Sequence, residues 1–527
     1  MSQENDLITI VDAGKWASDH LQKKVTSSNI SYLVQYGRIR KYGDNGVTKI
    51  SKQELIAYYH SFPGKREVKW KAELGDDINW ALSFDYLREA DTTKHVHRIH
   101  PYKGKFIPQL VQYFIDEHVD EFKKEVFFRP GDIILDPFCG SGTMLVQANE
   151  LGLHAIGIDV SIFNALISNI KIERHNLVEI QKHIGNITRL LRNSIDPNVS
   201  QFDAQLTSEL ATFNNLNFPS PDFKYKVRRG LIDEDKYGMD KESELLPRYF
   251  QLVSHYNIKL QQEKADTFLD KWYLHPIRQQ INVVVRYLDE ITIPEIKRVL
   301  QIILSRTIRS CRATTHADLA TLVEPVRAIY YCAKHGKVCK PLFSIFNWWQ
   351  RYSQDTIWRL STFDKLRTET FQYCLTGDSR NIDLIETLSH EYPALSQQVQ
   401  NQKIQGIFSS PPYVGLIDYH EQHAYAYELF GFPRQDSSEI GAMFKGQGVE
   451  ARKAYVQGVA EVINNCKRFF APNYDVLLVA NDKFNLYPLI AEKAGMEISN
   501  RYRRPVLNRT ERDKAAYSEI IFHLKSK

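Results

Sequence analysis

One short run limits the fold of this chain more than any other: Gly131-Asp132-Ile133-Ile134-Leu135-Asp136-Pro137-Phe138-Cys139-Gly140-Ser141-Gly142-Thr143. Its apolar half reads as a buried strand, its glycines as a tight turn, and Met144 to Leu151 as the helix that follows. A second strand, His154 to Ile158, ends in Asp159, 23 positions after Asp136. Strand, glycine loop, helix, strand, helix over residues 130–170 opens a parallel α/β sheet. The next strand of that kind begins only near Phe371, about 200 residues on, whereas loops rarely exceed about 12–15 residues. A domain is therefore inserted in the sheet, and its segments 245–263 and 275–305 carry helical apolar spacing.

The glycines let a ligand approach the backbone, and the acid at Asp159 suits ribose hydroxyls. Nucleoside triphosphate, dinucleotide and S-adenosylmethionine all satisfy that much. No Gly-Lys-Ser/Thr follows, so the phosphate-reaching lysine of a P-loop is missing. Asp136, just before the glycines, would repel a pyrophosphate but could accept from the ammonium of a methionine moiety. S-adenosylmethionine fits best. Further on, Ile404 to Ser409 reads as an apolar strand running into Ser410-Pro411-Pro412-Tyr413, a rigid turn at the carboxyl end of the sheet, where α/β ligands sit.

Asp136-Pro137-Phe138-Cys139-Gly140-Ser141-Gly142-Thr143 together with Ser410-Pro411-Pro412-Tyr413 resembles the exocyclic-amino DNA methyltransferases, which modify cytosine N4 or adenine N6. The segment His100-Pro101-Tyr102-Lys103-Gly104-Lys105-Phe106-Ile107-Pro108 is similar to the one that in this family helps close the methionine pocket, which points to Lys105 and Phe106. Thr376-Gly377-Asp378-Ser379 resembles the family's third-strand acid, so Asp378 is expected to accept from the cofactor's adenine amino group. The resemblance covers residues 94–170 and 371–525, in the loop-insertion-turn order called alpha. It implies an S-adenosylmethionine cofactor, a double-stranded DNA substrate, an insertion that recognises the target sequence, and a cognate restriction endonuclease or defence-system partner. It implies neither a metal nor a membrane.

The chemistry gives these residues roles of its own. An exocyclic amine is a poor nucleophile because its lone pair is delocalised into the ring. Acceptors at Ser410 Oγ and the Pro411 carbonyl would hold the amino hydrogens, favour pyramidal nitrogen and free the lone pair for direct displacement. Methylation at cytosine C5 would instead need a thiol beside the base, where this turn carries Pro-Pro, and Cys139 lies in the cofactor loop. The target atom is hidden in a duplex, so the base must flip, and Tyr413 offers a face for stacking. Ser before Pro-Pro-Tyr is, within the family, associated more with cytosine N4 than adenine N6. Cytosine N4 is the expectation, with adenine N6 as the alternative. Two rivals are an RNA guanine-amino methyltransferase and a DNA-binding regulator that senses the cofactor.

Around this core, residues 7–60 read as helix, turn, helix, basic wing, helix: Ile8 to Leu21, a cap at Thr26-Ser27-Ser28-Asn29, Ile30 to Tyr36, then Arg38, Arg40 and Lys41, a turn at 43–46, a strand Val47 to Ile50, and a helix opening at Ser51. That order resembles the winged helix-turn-helix of excisionase and MerR-type DNA-binding proteins. Residues 306–340 are basic and are followed by Phe343, Phe346, Trp348 and Trp349, a mixture that suits a nucleic-acid surface. Arg501, Arg503, Arg504 and Arg509 could grip phosphates. Cys332, His335 and Cys339 have ligand-like spacing, with Cys311 or His316 able to complete a set of four. Buried thiols and a structural histidine explain the same residues without metal, and none is assigned.

Composition excludes little else. The chain has 68 Lys and Arg against 63 Asp and Glu, a net charge of +5, and its six cysteines are too few for a disulfide framework. No apolar run approaches the roughly 20 residues of a membrane span, and Met1 to Asp6 lacks signal-peptide character, so a reduced cytoplasmic, nucleoid-associated protein is expected. The fold class expected is α/β: a Rossmann-like methyltransferase sheet interrupted by a large mainly helical insertion, with an N-terminal winged helix-turn-helix-like module. The boundaries drawn are 1–62 for that module, 63–93 for a connector, 94–175 for the cofactor-binding part, 176–368 for the insertion and 369–527 for the catalytic part.

Overall fold

The computed structural model describes residues 6–21, 25–35, 37–43, 48–61, 73–74, 78–84, 87, 89–316, 322–506 and 517–527. The chain forms two compact units. One gathers Leu74–Leu190, Val284–Arg309 and Phe346–Lys527; the other gathers Met1–Glu73, Leu191–Val283 and Ser310–Ile345. Residues 176–190, 284–309 and 346–368, drawn in the insertion from sequence, therefore pack with the first unit. Side chains show why. Arg298 donates to Glu173 at 3.0 Å, His183 Nδ1 meets the Tyr287 hydroxyl at 2.9 Å, and the buried Trp349 indole donates to Thr188 at 3.1 Å.

Seven strands make the sheet of the first unit: β1 (Ile133–Asp136), β2 (His154–Asp159), β3 (Gln372–Thr376), β4 (Ile404–Ser409), β5 (Phe470–Ala480), β6 (Met496–Pro505) and β7 (Ser518–Ser526). Their order is β6-β7-β5-β4-β1-β2-β3. The strands from β3 across to β5 run parallel, while β7 is antiparallel to both β5 and β6. β1 is buried throughout and β2 nearly so, as strands covered on both faces must be, which accounts for their unbroken apolar runs. From β1 the chain builds outward through β2 and β3, then returns to place β4 on the other side. Ligands of such sheets sit at that reversal, outside the carboxyl ends of the strands. Gly406 lets β4 and β5 approach closely: a Cβ there would lie 1.9 Å from the Asp475 carbonyl oxygen, at a shift in the strand register. β6 was not foreseen, because Met496 to Pro505 is mostly polar and charged, and the basic run around Tyr502 breaks the period-two pattern that marks a strand.

In the second unit the N-terminal elements are a strand Leu7–Thr9, helices Ile10–Leu21 and Ser27–Gln35, a strand Lys49–Ser51 antiparallel to the first, and a helix Lys52–Ser61. Helix starts differ from the sequence reading because of capping. Thr9 Oγ1 accepts from the Asp12 N–H, so the first helix begins after it, and Thr26 caps the second, so Ser27 to Asn29 form its first turn. Of the turn expected at 43–46, residues 44–46 lie outside the described residues, as does Val47 of the expected strand. Ala13, Ala17, Ile30, Leu33, Val34, Ile39, Ile50 and Leu55 form the core of these elements. Gly37 packs on the backbone of Lys224 and Tyr225, and Glu54 accepts from the Tyr225 hydroxyl at 3.2 Å and the Arg40 N–H at 2.8 Å.

The helix expected over 245–263 is Glu234–His255, ended by Asn257 at φ 51. That expected over 275–305 is two, His275–Asp289 and Pro294–Ser310, because Pro294 cannot continue a helix but readily starts one. The basic and aromatic run of 306–352 is not a continuous surface. Arg306 is buried, paired with Asp355 and stacked on Tyr352, and Arg312, Phe343 and Trp349 are buried too. No helix among the described residues is long and apolar enough to cross a membrane.

Candidate active site

At the sheet reversal lies a cleft lined by the loops that follow β1, β2, β3 and β4, the place where ligands of such sheets sit. The loop after β1 forms its floor. Gly140 and Gly142 take φ of 53 and 71, and a Cβ would meet the Tyr102 hydroxyl at 2.8 Å from Gly140 and Ser168 at 2.9 Å from Gly142. Only glycine allows both the turn and the close packing. Asp159, at the end of β2, accepts the Gly140 N–H at 2.8 Å through one oxygen and the Ser161 N–H at 2.8 Å through the other. Burial pushes its carboxyl up to about 6, against those amides and Asn164. Asp136 accepts from Ser409 Oγ at 2.5 Å and from the Phe138 N–H at 3.2 Å. Burial raises it further, to about 7.

Of the residues expected from sequence, Lys105, Phe106, Pro137, Phe138, Cys139, Gly140, Ser141, Thr143, Asp159, Asp378, Ser410 and Pro412 line the cleft. Asp136, Gly142, Pro411 and Tyr413 are not among its lining residues. Asp136 is bonded to the last residue of β4, and Gly142 is turned against Ser168. The Tyr413 hydroxyl donates to Glu519 at 3.0 Å. Lys105 donates to the His97 carbonyl at 2.7 Å, and Asp378 is forked to Arg380 at 2.9 and 3.0 Å. Burial works against the charge on Asp378, but Arg380 outweighs it and holds the carboxyl below its usual range. Burial pushes the Cys139 thiol well up, and its sulfur faces Ser168 at 3.8 Å, which suits a packing group rather than a nucleophile.

Sequence reasoning missed part of the wall. Tyr102 stacks against Tyr419 at 5.9 Å and His423 at 6.2 Å, and Tyr419, Asn164 and Glu439 line the cleft as well. Glu439 is buried and accepts the backbone N–H groups of Tyr419 and His420 at 3.1 and 2.8 Å. By sequence, residues 417–423 read as a polar stretch of the sort that lines a target pocket, with no role assigned, and nothing in their types reveals the carboxylate that organises them. Of the arginines expected to meet phosphates, Arg504 is buried and paired with Glu519 at 3.2 Å, and Arg503 donates to the Leu74 carbonyl. Arg509 lies outside the described residues.

A ligand is implied by what the cleft leaves unsatisfied. Ser141 Oγ and Asn164 Oδ1 are buried without a hydrogen-bond partner among the described residues, and both line it. Two buried acids, a glycine floor and aromatic walls fit an adenosine with a cationic amino-acid tail, which is S-adenosylmethionine.

Comparison with known proteins agrees. Residues 16–169 match the DNA methylase family. Type II methyltransferase M.MjaII of Methanocaldococcus jannaschii is 42% identical over 525 residues, 98% of this chain and 97% of its own. Type II methyltransferase M.BsoBI of Geobacillus stearothermophilus is 32% identical over 110 residues, 20% of each chain. A tRNA (guanine(10)-N2)-dimethyltransferase of Methanocaldococcus jannaschii is 41% identical over 154 residues, 28% of this chain and 38% of its own. With near-complete coverage by one relative and the two motifs meeting at one cleft, the chain belongs to the exocyclic-amino DNA methyltransferases, with S-adenosylmethionine as methyl donor.

Proposed function

We propose that this enzyme methylates cytosine N4 of a base flipped out of double-stranded DNA, with adenine N6 as the alternative target. The observation that carries the reading is Ser410. Its hydroxyl donates to the Val479 carbonyl of β5 at 3.1 Å, so its hydrogen is engaged and its lone pairs are left for another donor. That is the state needed to accept an amino hydrogen of the target base. Pro411 adds its carbonyl as a second acceptor, and Pro412 holds the turn. The two acceptors draw the amine away from planarity and free its lone pair, and no covalent link to the chain is required. Tyr413, tethered to Glu519, would offer its ring to the base.

S-adenosylmethionine supplies an electrophilic methyl on a sulfonium. Asp136 would take its ammonium, Asp159 its ribose hydroxyls, and Asp378, which retains lone pairs beside Arg380, its adenine amino group. Lys105, Phe106 and residues 137–143 would enclose it. The N-terminal winged helix-turn-helix-like module and the inserted helices are proposed to meet the DNA, and the type II relative supports a restriction-modification setting with a cognate endonuclease. A second reading, methylation of a guanine amino group in RNA, has the tRNA enzyme in its favour, but that likeness spans 28% of the chain.

Mass spectrometry of nucleosides tests this, using unmethylated DNA and, in parallel, RNA incubated with enzyme and labelled S-adenosylmethionine. N4-methylcytosine in DNA is expected. N6-methyladenine would overturn the choice of base, and label in RNA alone would overturn the substrate.

A further inference from the structure

Within the second unit a short hairpin, Tyr330–Cys332 paired with Lys337–Cys339, carries a cluster that methyl transfer does not use. Ligand atoms of His316, Cys332, His335 and Cys339 all lie within 4.8 Å of one another. The Cys332 sulfur is 3.8 Å from His316 Nδ1 and 3.6 Å from His335 Nδ1, and the Cys339 sulfur is 3.5 Å from His335 Nδ1. Zinc bonds of about 2.3 Å to sulfur and 2.0–2.1 Å to nitrogen, set tetrahedrally, place sulfur and nitrogen about 3.5 Å apart. The three separations sit at or just above that edge. We propose that these four residues bind one zinc ion as a closed, structural site.

The local backbone favours such a site. The N–H groups of His335 and Gly336 both return to the Cys332 carbonyl, at 3.0 and 2.7 Å, and Gly336 takes φ 61, so the turn folds His335 back towards both sulfurs. Two thiolates and two neutral imidazoles cancel the charge of the ion, displace two thiol protons, and leave no coordination position open for water. The hairpin's own apolar cluster is small: Tyr330, Cys332 and Cys339 with Val326 beside them. Metal would tie its two strands together where that cluster is thin. It would also take His316 Nδ1 from the Tyr330 hydroxyl, now 2.7 Å away. Cys311, the other fourth ligand suggested by sequence, is buried outside the cluster.

What zinc would hold reaches further. Asn214 bonds both the N–H and the carbonyl of Val338 at 2.9 Å, Glu242 accepts the Tyr331 N–H at 2.7 Å, and Lys224 reaches the Lys334 carbonyl. Lys224 and Tyr225 are in turn the backbone on which Gly37 packs.

The test is metal analysis of the purified full-length chain, with cobalt exchanged for zinc in a second sample. About one zinc per chain, and a cobalt spectrum with tetrahedral visible bands and thiolate charge transfer, are expected. Cys332→Ser and Cys339→Ser should lose the metal, Cys339→His should keep it, and Cys311→Ser should not change it. A native chain that takes up neither ion, or whose Cys332 and Cys339 are joined as a disulfide, would overturn the proposal, as would metal retained in both serine variants. Should a serine variant fail to fold, cobalt titration of the chelator-stripped native chain decides the same question.

Discussion

In the cleft, the polar walls are held largely by main chain. Asp159 takes the N–H groups of Gly140 and Ser161, Ser410 gives its hydrogen to the Val479 carbonyl, and Glu439 takes the N–H groups of Tyr419 and His420. In the second unit several links run between side chains. Glu54 meets Tyr225 and Arg229, Lys340 meets Asp203, and the thiols of the hairpin face histidines. A side chain bonded to a strand end inherits the rigidity of the sheet. A pair of exposed side chains must order both partners, is screened by salt, and gains little. The site for chemistry is thus fixed by topology, and the other unit depends on local staples.

Ser410→Ala should break the first half of that contrast most severely. Removing one preorganised group from a site of this kind costs about 100- to 1,000-fold in kcat, and cofactor affinity should stay unchanged. Single-turnover methylation with a parallel binding titration measures both. A loss of affinity matching the loss of rate would mean that Ser410 only shapes the turn.

A smaller effect concerns Asp136, whose carboxyl is raised by burial to about 7. A raised acid favours the folded state when protonated, so its contribution is present below the unfolded value near 4 and is lost as pH rises through about 7. Cofactor binding has the opposite sign, because an ammonium prefers the ionised acid. Affinity for S-adenosylmethionine should rise about tenfold from pH 6 to pH 8 and then level off. Calorimetry across that range checks it, and the rise should vanish in Asp136→Asn. Smallest of all, Glu54→Gln should cost below about 1 kcal/mol in denaturant unfolding. A loss of several kcal/mol there would show that the side-chain links of the second unit are as firm as those of the sheet.

The same contrast explains what could be read beforehand. β1, β2, β4 and both motifs are local: apolar runs ending in fixed residues whose chemistry forces their position. The helix starts were missed by two and three residues where Thr9 and Thr26 act as caps, because either end of a polar cluster can cap until the apolar face is known. Arg306 and Arg504 were read as surface charges. Their burial depends on Asp355 and Glu519, partners that a linear pattern cannot reveal. Tyr419 and Glu439 enter the cleft for the same reason, through a buried carboxylate whose backbone partners lie 19 and 20 positions away.

The order of strands also sets a schedule for synthesis. β1 and β2 leave the ribosome together, but β4, the other neighbour of β1, begins about 270 residues after β1 ends. At 5–20 residues per second the inner edge of β1 waits roughly 15–50 s for its partner. A strand destined for the centre of the sheet is for that time an open edge, with unpaired N–H and carbonyl groups. Nor can cofactor binding close it early, since Ser410, Tyr419 and Glu439 have not yet been made. The helices encoded between β2 and β3 are the part of the nascent chain free to fold in the interval, so the newborn chain stays open to aggregation until β4 and the Ser410-Pro411-Pro412-Tyr413 turn appear.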